Sequence, residues 1–401
     1  MNTETLIQSV LKCYEETPKT EKNGALNWCN LASLGKNLSA RGINYKEFKY
    51  RQMKDFVRSL GIFEEYQDNA GKVPVLYVRA SNAKEASFNP NKPKLFEWAY
   101  MGNWNDVLQK LAGVALKEVW SSGANDKLDV LDNYLKYMFV KLFNENKICY
   151  AKGSKGVEEY AAFNTGLVNE LYKPIFALFK KDLKGVYTQD WSLEAFCVAG
   201  EGWGGKTLVG LFEELPKRAN FFTKVSDLFY DVSKGVPLLD DNHILIQNIN
   251  RFPLDVLKEF QPQGLEVKSV DNLPDEEKEE YFNNLRKAMQ ADTYMYRKFT
   301  EEVHNAVKIA VARVEWNYRT AIPMYYFYGG HNQELKEGKI SLLLPLAFGR
   351  DGKIELALVV SKGKNGMYQG ETIYPLEWAY KYARLVCRPD SDWLFASKNK
   401  K

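Results

Sequence analysis

Apolar side chains recur at helical spacing at Leu6, Val10, Cys13 and Tyr14, which predicts a helix over residues 3–16. The polar stretch Thr17 to Gly24, with Pro18 inside it, reads as a loop. A second helical pattern runs through Trp28, Leu31, Leu34 and Leu38 and ends at Gly42, and a third runs from about Lys46 to Leu60. Two strand patterns follow, Ile62 to Tyr66 and Val73 to Arg79, with Asp68-Asn69-Ala70-Gly71 as a hairpin turn. Three helices followed by a hairpin is the order of a winged helix-turn-helix. Residues 80–94 are poor in apolar side chains and carry two prolines. The chain therefore divides into a small domain over residues 1–80, a linker over 81–94 and a larger domain over 95–401.

The larger domain starts helical, from Leu95 to Trp120 and from Leu128 to Phe143. A hairpin follows, with strands at residues 148–150 and 160–163. The longest helical pattern covers residues 275–318, through Phe282, Leu285, Met289, Tyr296, Phe299, Val303, Ala306, Ala310 and Val314. Pro274 and the acids Asp275 to Glu277 mark its start, and its length leaves room for a break near Ala291. Three strands, Ile322 to Tyr328, Ile340 to Leu346 and Ile354 to Val360, precede a helix from Leu376 to Val386. Asp351-Gly352 joins the last two strands. The fold class is α+β: a winged helix-turn-helix, then a larger domain with an antiparallel sheet against helices.

Composition agrees with a folded chain, at 45% apolar and 14% aromatic residues. No apolar run reaches the roughly 18 residues of a membrane span. The start, MNTETLIQSV, lacks the basic then apolar order of a signal peptide. The five cysteines are far apart and form no CxxC pair, so disulfides and a zinc ribbon are not expected. A cytoplasmic protein fits all of this. Three scattered histidines, His243, His304 and His331, offer no local metal centre, and none is expected. The net charge of +4 is too mild to indicate a nucleic-acid partner, so any cationic footprint is local.

The third predicted helix carries such a footprint. Met53, Phe56, Val57 and Leu60 fall on one side, and Arg51, Lys54, Asp55 and Arg58 on the other. Residues 36–58 hold seven cations, Lys36, Arg41, Lys46, Lys49, Arg51, Lys54 and Arg58, against two acids, Glu47 and Asp55. An apolar face that docks and a cationic face that reaches phosphates is what a recognition helix needs. An ordinary solvated helix face is the alternative. Residues 24–79 resemble the OST-HTH/LOTUS domain. The resemblance lies in Leu31-Ala32-Ser33-Leu34-Gly35, in Tyr50-Arg51, in Leu60-Gly61-Ile62-Phe63-Glu64 and in Tyr77-Val78-Arg79. A glycine usual near the start of the third helix is replaced by the Phe48-Lys49 region. The resemblance implies RNA binding, and the residues expected to contact RNA are Lys36, Lys49, Arg51, Lys54 and Arg58.

Residues 95–398 resemble a bacterial domain of unknown function that often follows an OST-HTH module. The resemblance rests on residues 162–167, 317–323, 342–346 and 379–385, with Asp390 and Trp393. It supplies no activity. It singles out Asn164, Thr165, Arg251, Arg319 and Arg384, polar groups among apolar ones. These either satisfy buried backbone or form an anion pocket. Residues 200–207 satisfy G-x-x-x-x-G-K-[ST], with Gly200, Gly205, Lys206 and Thr207 in the nucleotide-binding positions. Against that reading stand Pro216 soon after, Pro237 inside the supposed acidic strand VPLLDD, and the lack of a β-α alternation. A Gly-rich turn between strands is the simpler account. No cofactor is expected, and magnesium enters only with the nucleotide reading. Asp240, Asp241 and His243 lack a second ligand cluster. The aromatic run Tyr325 to Tyr328 either stacks bases or splits between core and surface. The sequence thus predicts an RNA-binding protein with a large domain of undefined role. The alternative is an RNA-processing enzyme or nucleotide-binding effector with its site in that domain.

Overall fold

A computed structural model describes residues 3–22, 25–48, 50, 52–60, 63–68, 74–80, 95–122, 128–153, 156–183, 185–328, 336–349 and 351–395. The described residues fall into two compact units. One is drawn from Met1–Tyr100, Lys184–Asp190 and Tyr328–Lys336, and the other from Met101–Leu183, Trp191–Phe327 and Glu337–Lys401. The predicted linker, 81–94, lies outside the described residues.

The first unit runs α1 (Thr3–Glu16), β1 (Thr20–Lys22), β2 (Ala25–Asn30), α2 (Leu31–Ala40), α3 (Met53–Ser59), β3 (Phe63–Asp68) and β4 (Val75–Ala80). It continues to α4 (Leu95–Trp98) and β5 (Ala99–Tyr100). The strands form a sheet in the order β1-β2-β4-β3. β3 and β4 pair antiparallel from Phe63 opposite Ala80 to Asp68 opposite Val75, and β2 meets β4 with Cys29 opposite Val78. The predicted helix through Trp28 starts later than its spacing implied, because Asn30 is an N-cap. Its side chain accepts from the Ala32 and Ser33 amides at 2.8 and 3.3 Å, and the residues before it are strand. The third helix is also shorter than predicted. The Tyr45 carbonyl accepts from the Phe48 and Tyr50 amides, forming turns before the helix. Phe48 and Tyr50 lie within the predicted helix, but their rings pack on Phe56 at 5.5 and 5.6 Å from outside it. Leu34, Leu38, Phe56, Val57 and Val78 form the centre of this unit's core.

The second unit opens with α5 (Trp104–Val114) and α6 (Asp129–Asn144). The single predicted helix from Leu95 is interrupted at Gly102, whose φ is +73°, and at Asn103, which caps α5. Next come β6 (Cys149–Lys152), β7 (Glu158–Val168), β8 (Pro174–Lys181) and β9 (Trp191–Val198), antiparallel in the order β9-β8-β7-β6, then α7 (Gly202–Leu211). After β10 (Leu238–Leu239) and a π-helical turn at Asn242–Gln247 come α8 (Leu254–Glu259), α9 (Asp275–Ala291) and α10 (Thr293–Trp316). The long predicted helix is two, divided at Asp292. Its carboxylate accepts from the Met295 amide at 3.0 Å and the Gln263 amide at 2.9 Å. β11 (Ile322–Tyr328), β12 (Lys336–Leu346), β13 (Leu356–Lys362), β14 (Tyr368–Pro375) and α11 (Leu376–Val386) complete the unit. Their sheet has the order β10-β14-β13-β12-β11. β12, β13 and β14 run antiparallel, and β10 adds to β14 in parallel. Both units mix helices with largely antiparallel strands, as an α+β class requires.

The two larger sheets are covered on both faces. Leu342, Leu344 and Leu346 of β12 and Leu356, Leu358 and Val360 of β13 share a core with Phe299, Val303, Val307, Ala310 and Val314 of α10. The intervening Leu343, Ala357 and Val359 are buried on the side that α11 covers. Burial on both faces explains why these strands read as continuous apolar runs without alternation. The other sheet buries Phe163 and Phe179 towards α6, where Phe163 meets Phe139 at 5.8 Å, and Ala162, Phe176 and Leu178 towards Leu208 of α7. Helices α6 and α11 pack on one another, so they join the two sheets.

Gly166 in β7 has φ +75°, and a Cβ there would stand 2.5 Å from the Tyr134 hydroxyl oxygen. Gly166→Ala is expected to lower stability by about 2 kcal/mol, through both backbone strain and the displaced tyrosine. The midpoint of urea unfolding measures this, and an unchanged midpoint would show that β7 tolerates a side chain at this point.

Candidate functional site

Two places concentrate the chemistry that the sequence singled out, one in each unit. In the first unit, α2 and α3 approach closely. A Cβ on Gly35 would lie 3.6 Å from the Met53 side chain. Lys36 and Lys54 each follow one of these contact residues. Both are exposed and form no ion pair among the described residues. Arg58 sits one turn after Lys54, but its guanidinium makes two hydrogen bonds of 2.6 Å to the Glu65 carboxylate on β3. Its charge is thus matched within the unit. Arg41 likewise pairs with Glu16. Lys49 and Arg51 lie outside the described residues. The sequence did not flag Glu65, because its pairing with Arg58 depends on how β3 returns along α3.

In the second unit, the five polar residues expected to share an anion pocket separate. Asn164 and Thr165 satisfy backbone. The Asn164 amide donates to the Pro216 carbonyl at 3.3 Å, and the Thr165 hydroxyl donates to the Ile175 carbonyl at 2.7 Å. Arg319 is exposed beside the Asn317 cap. Arg251 donates to the Thr372 hydroxyl at 2.6 Å and to the Ile373 carbonyl at 2.9 Å, and its guanidinium lies over Tyr374 and Trp378. Burial pulls its pKa below the usual guanidinium range.

Of the five, Arg384 lines a cavity of about 230 Å³. Its side chain is buried and bonds both oxygens of Glu118, at 2.6 and 3.2 Å. The guanidinium also lies 4.8 Å from the Trp120 ring centroid and 4.7 Å from that of Tyr134. Burial opposes its charge, but Tyr134 and Glu118 outweigh that and hold its pKa above the ordinary value. The remaining walls include Ala115, Leu116, Met138, Phe221 and Leu385. Arg218 and Arg388 also line it; both are exposed and form no ion pair among the described residues. Glu118 is the one carboxylate among the lining residues described, and Arg384 takes both its oxygens. The cavity is therefore apolar within, neutral at its buried ion pair, and cationic where Arg218 and Arg388 stand. Glu118, Trp120 and Arg218 escaped the sequence reading because each sits in an irregular connection with no motif around it.

The remaining sequence candidates have structural partners. The Gly200 amide donates to the Gly205 carbonyl at 2.9 Å, and the Glu201 amide to the Val198 carbonyl at 3.0 Å, so these amides are already committed within the loop. A Cβ on Gly205 would fall 1.9 Å from the Val198 carbonyl oxygen, and one on Gly204 3.2 Å from Ala195 and Cys197. These glycines let α7 lie close on β9. The turn links a strand to a helix rather than two strands, and β9 belongs to an antiparallel sheet. Lys206 is exposed and Thr207 half-buried. Asp240 accepts from the His243 amide at 3.0 Å, while the His243 ring is paired with Gln247 and Asn248. His304 Nε2 lies 2.7 Å from Asp241. His331 is outside the described residues. Tyr325 and Phe327 are buried, which assigns them to the core.

Residues 111–393 match the model of a family described as Domain of unknown function (DUF3825), and the chain belongs to that family. No curated protein and no solved structure matches it. Among the described residues, no helix is long and apolar enough to cross a membrane.

Glu118→Gln keeps the shape of the ion pair but leaves Arg384 charged and buried without a counter-ion. The expected loss is about 3–5 kcal/mol by chemical unfolding, and Glu118→Leu with Arg384→Met should recover most of it. A loss below about 1 kcal/mol would place the pair in solvent-like surroundings. A second expectation concerns acid. Burial raises the pKa of Asp129, Glu145 and Glu371. Bonds from Lys381 and Ser122, from Lys147 and the Asn220 amide, and from Ser361 and Lys339 respectively reverse this, leaving all three below the ordinary range. A carboxyl with a depressed folded pKa contributes stability that is complete above its unfolded value of about 4 and is lost as pH falls through the folded value. Urea midpoints should therefore decline from about pH 5 downward, and the decline should be shallower in an Asp129→Asn/Glu145→Gln variant.

Proposed function

We propose that this DUF3825 protein binds RNA, and that its first unit holds the phosphate backbone through Lys36 and Lys54 together with Lys49 and Arg51. The observation that carries this reading is the pair of exposed lysines, without an ion pair among the described residues, on two helices that touch at Gly35 and Met53. The order α1, β2, α2, α3, β3, β4 supports it, with β4 between β2 and β3, since that is the arrangement of a winged helix. The resemblance of residues 24–79 to the OST-HTH/LOTUS domain then favours RNA over duplex DNA. Arg58, held by Glu65, belongs to the frame of the helix in this reading rather than to the grip.

The test is binding of the purified full chain to structured RNA, unstructured RNA and duplex DNA of equal length at two salt concentrations. The RNAs carry a 5′-hydroxyl. Each phosphate contact contributes about one unit to the slope of log affinity against log salt, so Lys36→Ala/Lys54→Ala should flatten the slope by about two. Loss of RNA binding with the melting temperature unchanged supports the reading. Equal binding by the variant, or preference for duplex DNA, overturns it.

A further inference from the structure

We propose that the Arg384 cavity of the second unit binds a nucleoside monophosphate, with the base inside and the phosphate held by Arg218 and Arg388. This stands apart from the RNA reading, since it concerns other residues and a ligand that needs no backbone grip. Three observations converge on it. The first is the charge balance. Arg384 and Glu118 neutralise each other, which leaves Arg218 and Arg388 as unmatched cations on a lining that has no other carboxylate among the described residues. Two guanidinium groups on one cavity lining suit a phosphate monoester, which carries close to two negative charges at neutral pH.

The second observation is Trp120. It is 5% exposed, and its Nε1 is buried with no hydrogen-bond partner among the described residues. A buried donor without an acceptor costs free energy, and it gains that back from a ligand that brings an acceptor. The carbonyl oxygens and ring nitrogens of a nucleobase are such acceptors, and a plain phosphate would remain with the arginines. The third is size and lining. About 230 Å³ between Trp120, Tyr134 and Phe221 lies below the roughly 300–1,000 Å³ of pockets that enclose whole drug-sized ligands. A flat aromatic ring fills it, with the charged end left outside. The same chemistry is offered by a free mononucleotide and by the 5′-phosphorylated end of an RNA strand.

Isothermal titration calorimetry on the full chain separates these. The titrants are AMP, GMP, CMP and UMP, then adenosine, inorganic phosphate, and one oligoribonucleotide with either a 5′-phosphate or a 5′-hydroxyl. At least one monophosphate should bind about tenfold or more tightly than either adenosine or inorganic phosphate. Arg218→Ala/Arg388→Ala, both exposed, should weaken it about tenfold with no change in melting temperature. Trp120→Phe keeps the ring and removes the donor, and should also weaken binding. If only the oligonucleotide binds, and its 5′-phosphate improves affinity, the proposal stands with an RNA end as the source. Absence of binding by all monophosphates and by the 5′-phosphorylated strand overturns it. So does inorganic phosphate binding as tightly as the nucleotides, or a double arginine variant that binds like the wild type. Lys36→Ala/Lys54→Ala, carried alongside, should leave mononucleotide binding unchanged, so failure here is distinct from failure of the RNA reading.

Discussion

Arg384 and Glu118 impose the constraint around which the second unit is arranged. A guanidinium and a carboxylate withdrawn from water are each costly, and their attraction offsets that cost only when geometry is fixed and the other donors are occupied. Here the carboxylate is engaged at both oxygens, and the faces of Trp120 and Tyr134 lie against the cation. Tyr134 is in turn fixed by its hydroxyl, which donates to the Thr165 carbonyl at 3.1 Å. This positions α6 against the bend of β7 at Gly166, where only hydrogen fits in place of a side chain. The ion pair thus ties α11, the connection after α5, helix α6 and the first sheet of this unit to one geometry.

Helix α11 distributes its sides among different tasks. Arg384 faces the cavity, while Trp378 and Tyr382 meet Tyr374, with ring centroids 6.1 and 5.5 Å away. Lys381 reaches Asp129 on α6 at 2.7 Å and Glu377 on its own helix at 3.2 Å. One short helix therefore carries an aromatic side, an ionic seam to α6 and a cavity wall. That division explains why its polar residues look scattered in sequence. Spacing of three and four residues assigns them to sides, but the sides differ in what they touch.

Elements with strong periodicity and a clean boundary were legible. The helix at Leu376–Val386 and the strand at Ile322–Tyr328 coincide with their predicted limits, since a proline precedes one and a short 3₁₀ turn the other. Boundaries failed where side-chain capping or long-range packing outweighed spacing. Asn30 ends a strand that apolar periodicity had assigned to a helix, and Phe48 and Tyr50 pack from turns rather than from a helical face. Of the site, Arg384 was legible as a polar residue in apolar surroundings. Its partners Glu118 and Trp120 were not, because 266 positions separate the two members of the ion pair and nothing local marks either. The match to the glycine-rich nucleotide loop was formal. The same glycines that such a loop needs for close approach to phosphate serve here for close approach of α7 to β9.

The division at Asp292 makes the phase of α10 a length-sensitive quantity. The residue sits between two helices and accepts amides from both Met295 and the distant Gln263, so the first turn of α10 is anchored in rotation as well as in position. From that anchor, Phe299, Val303, Val307, Ala310 and Val314 arrive over the sheet by counting residues alone. One residue added or removed between Asp292 and Phe299 would turn every one of them by about 100° around the helix axis, away from β12 and β13 and towards water. An insertion in the six residues after the anchor is therefore ruinous to this core. Length there matters to the core as much as the identity of an apolar side chain does.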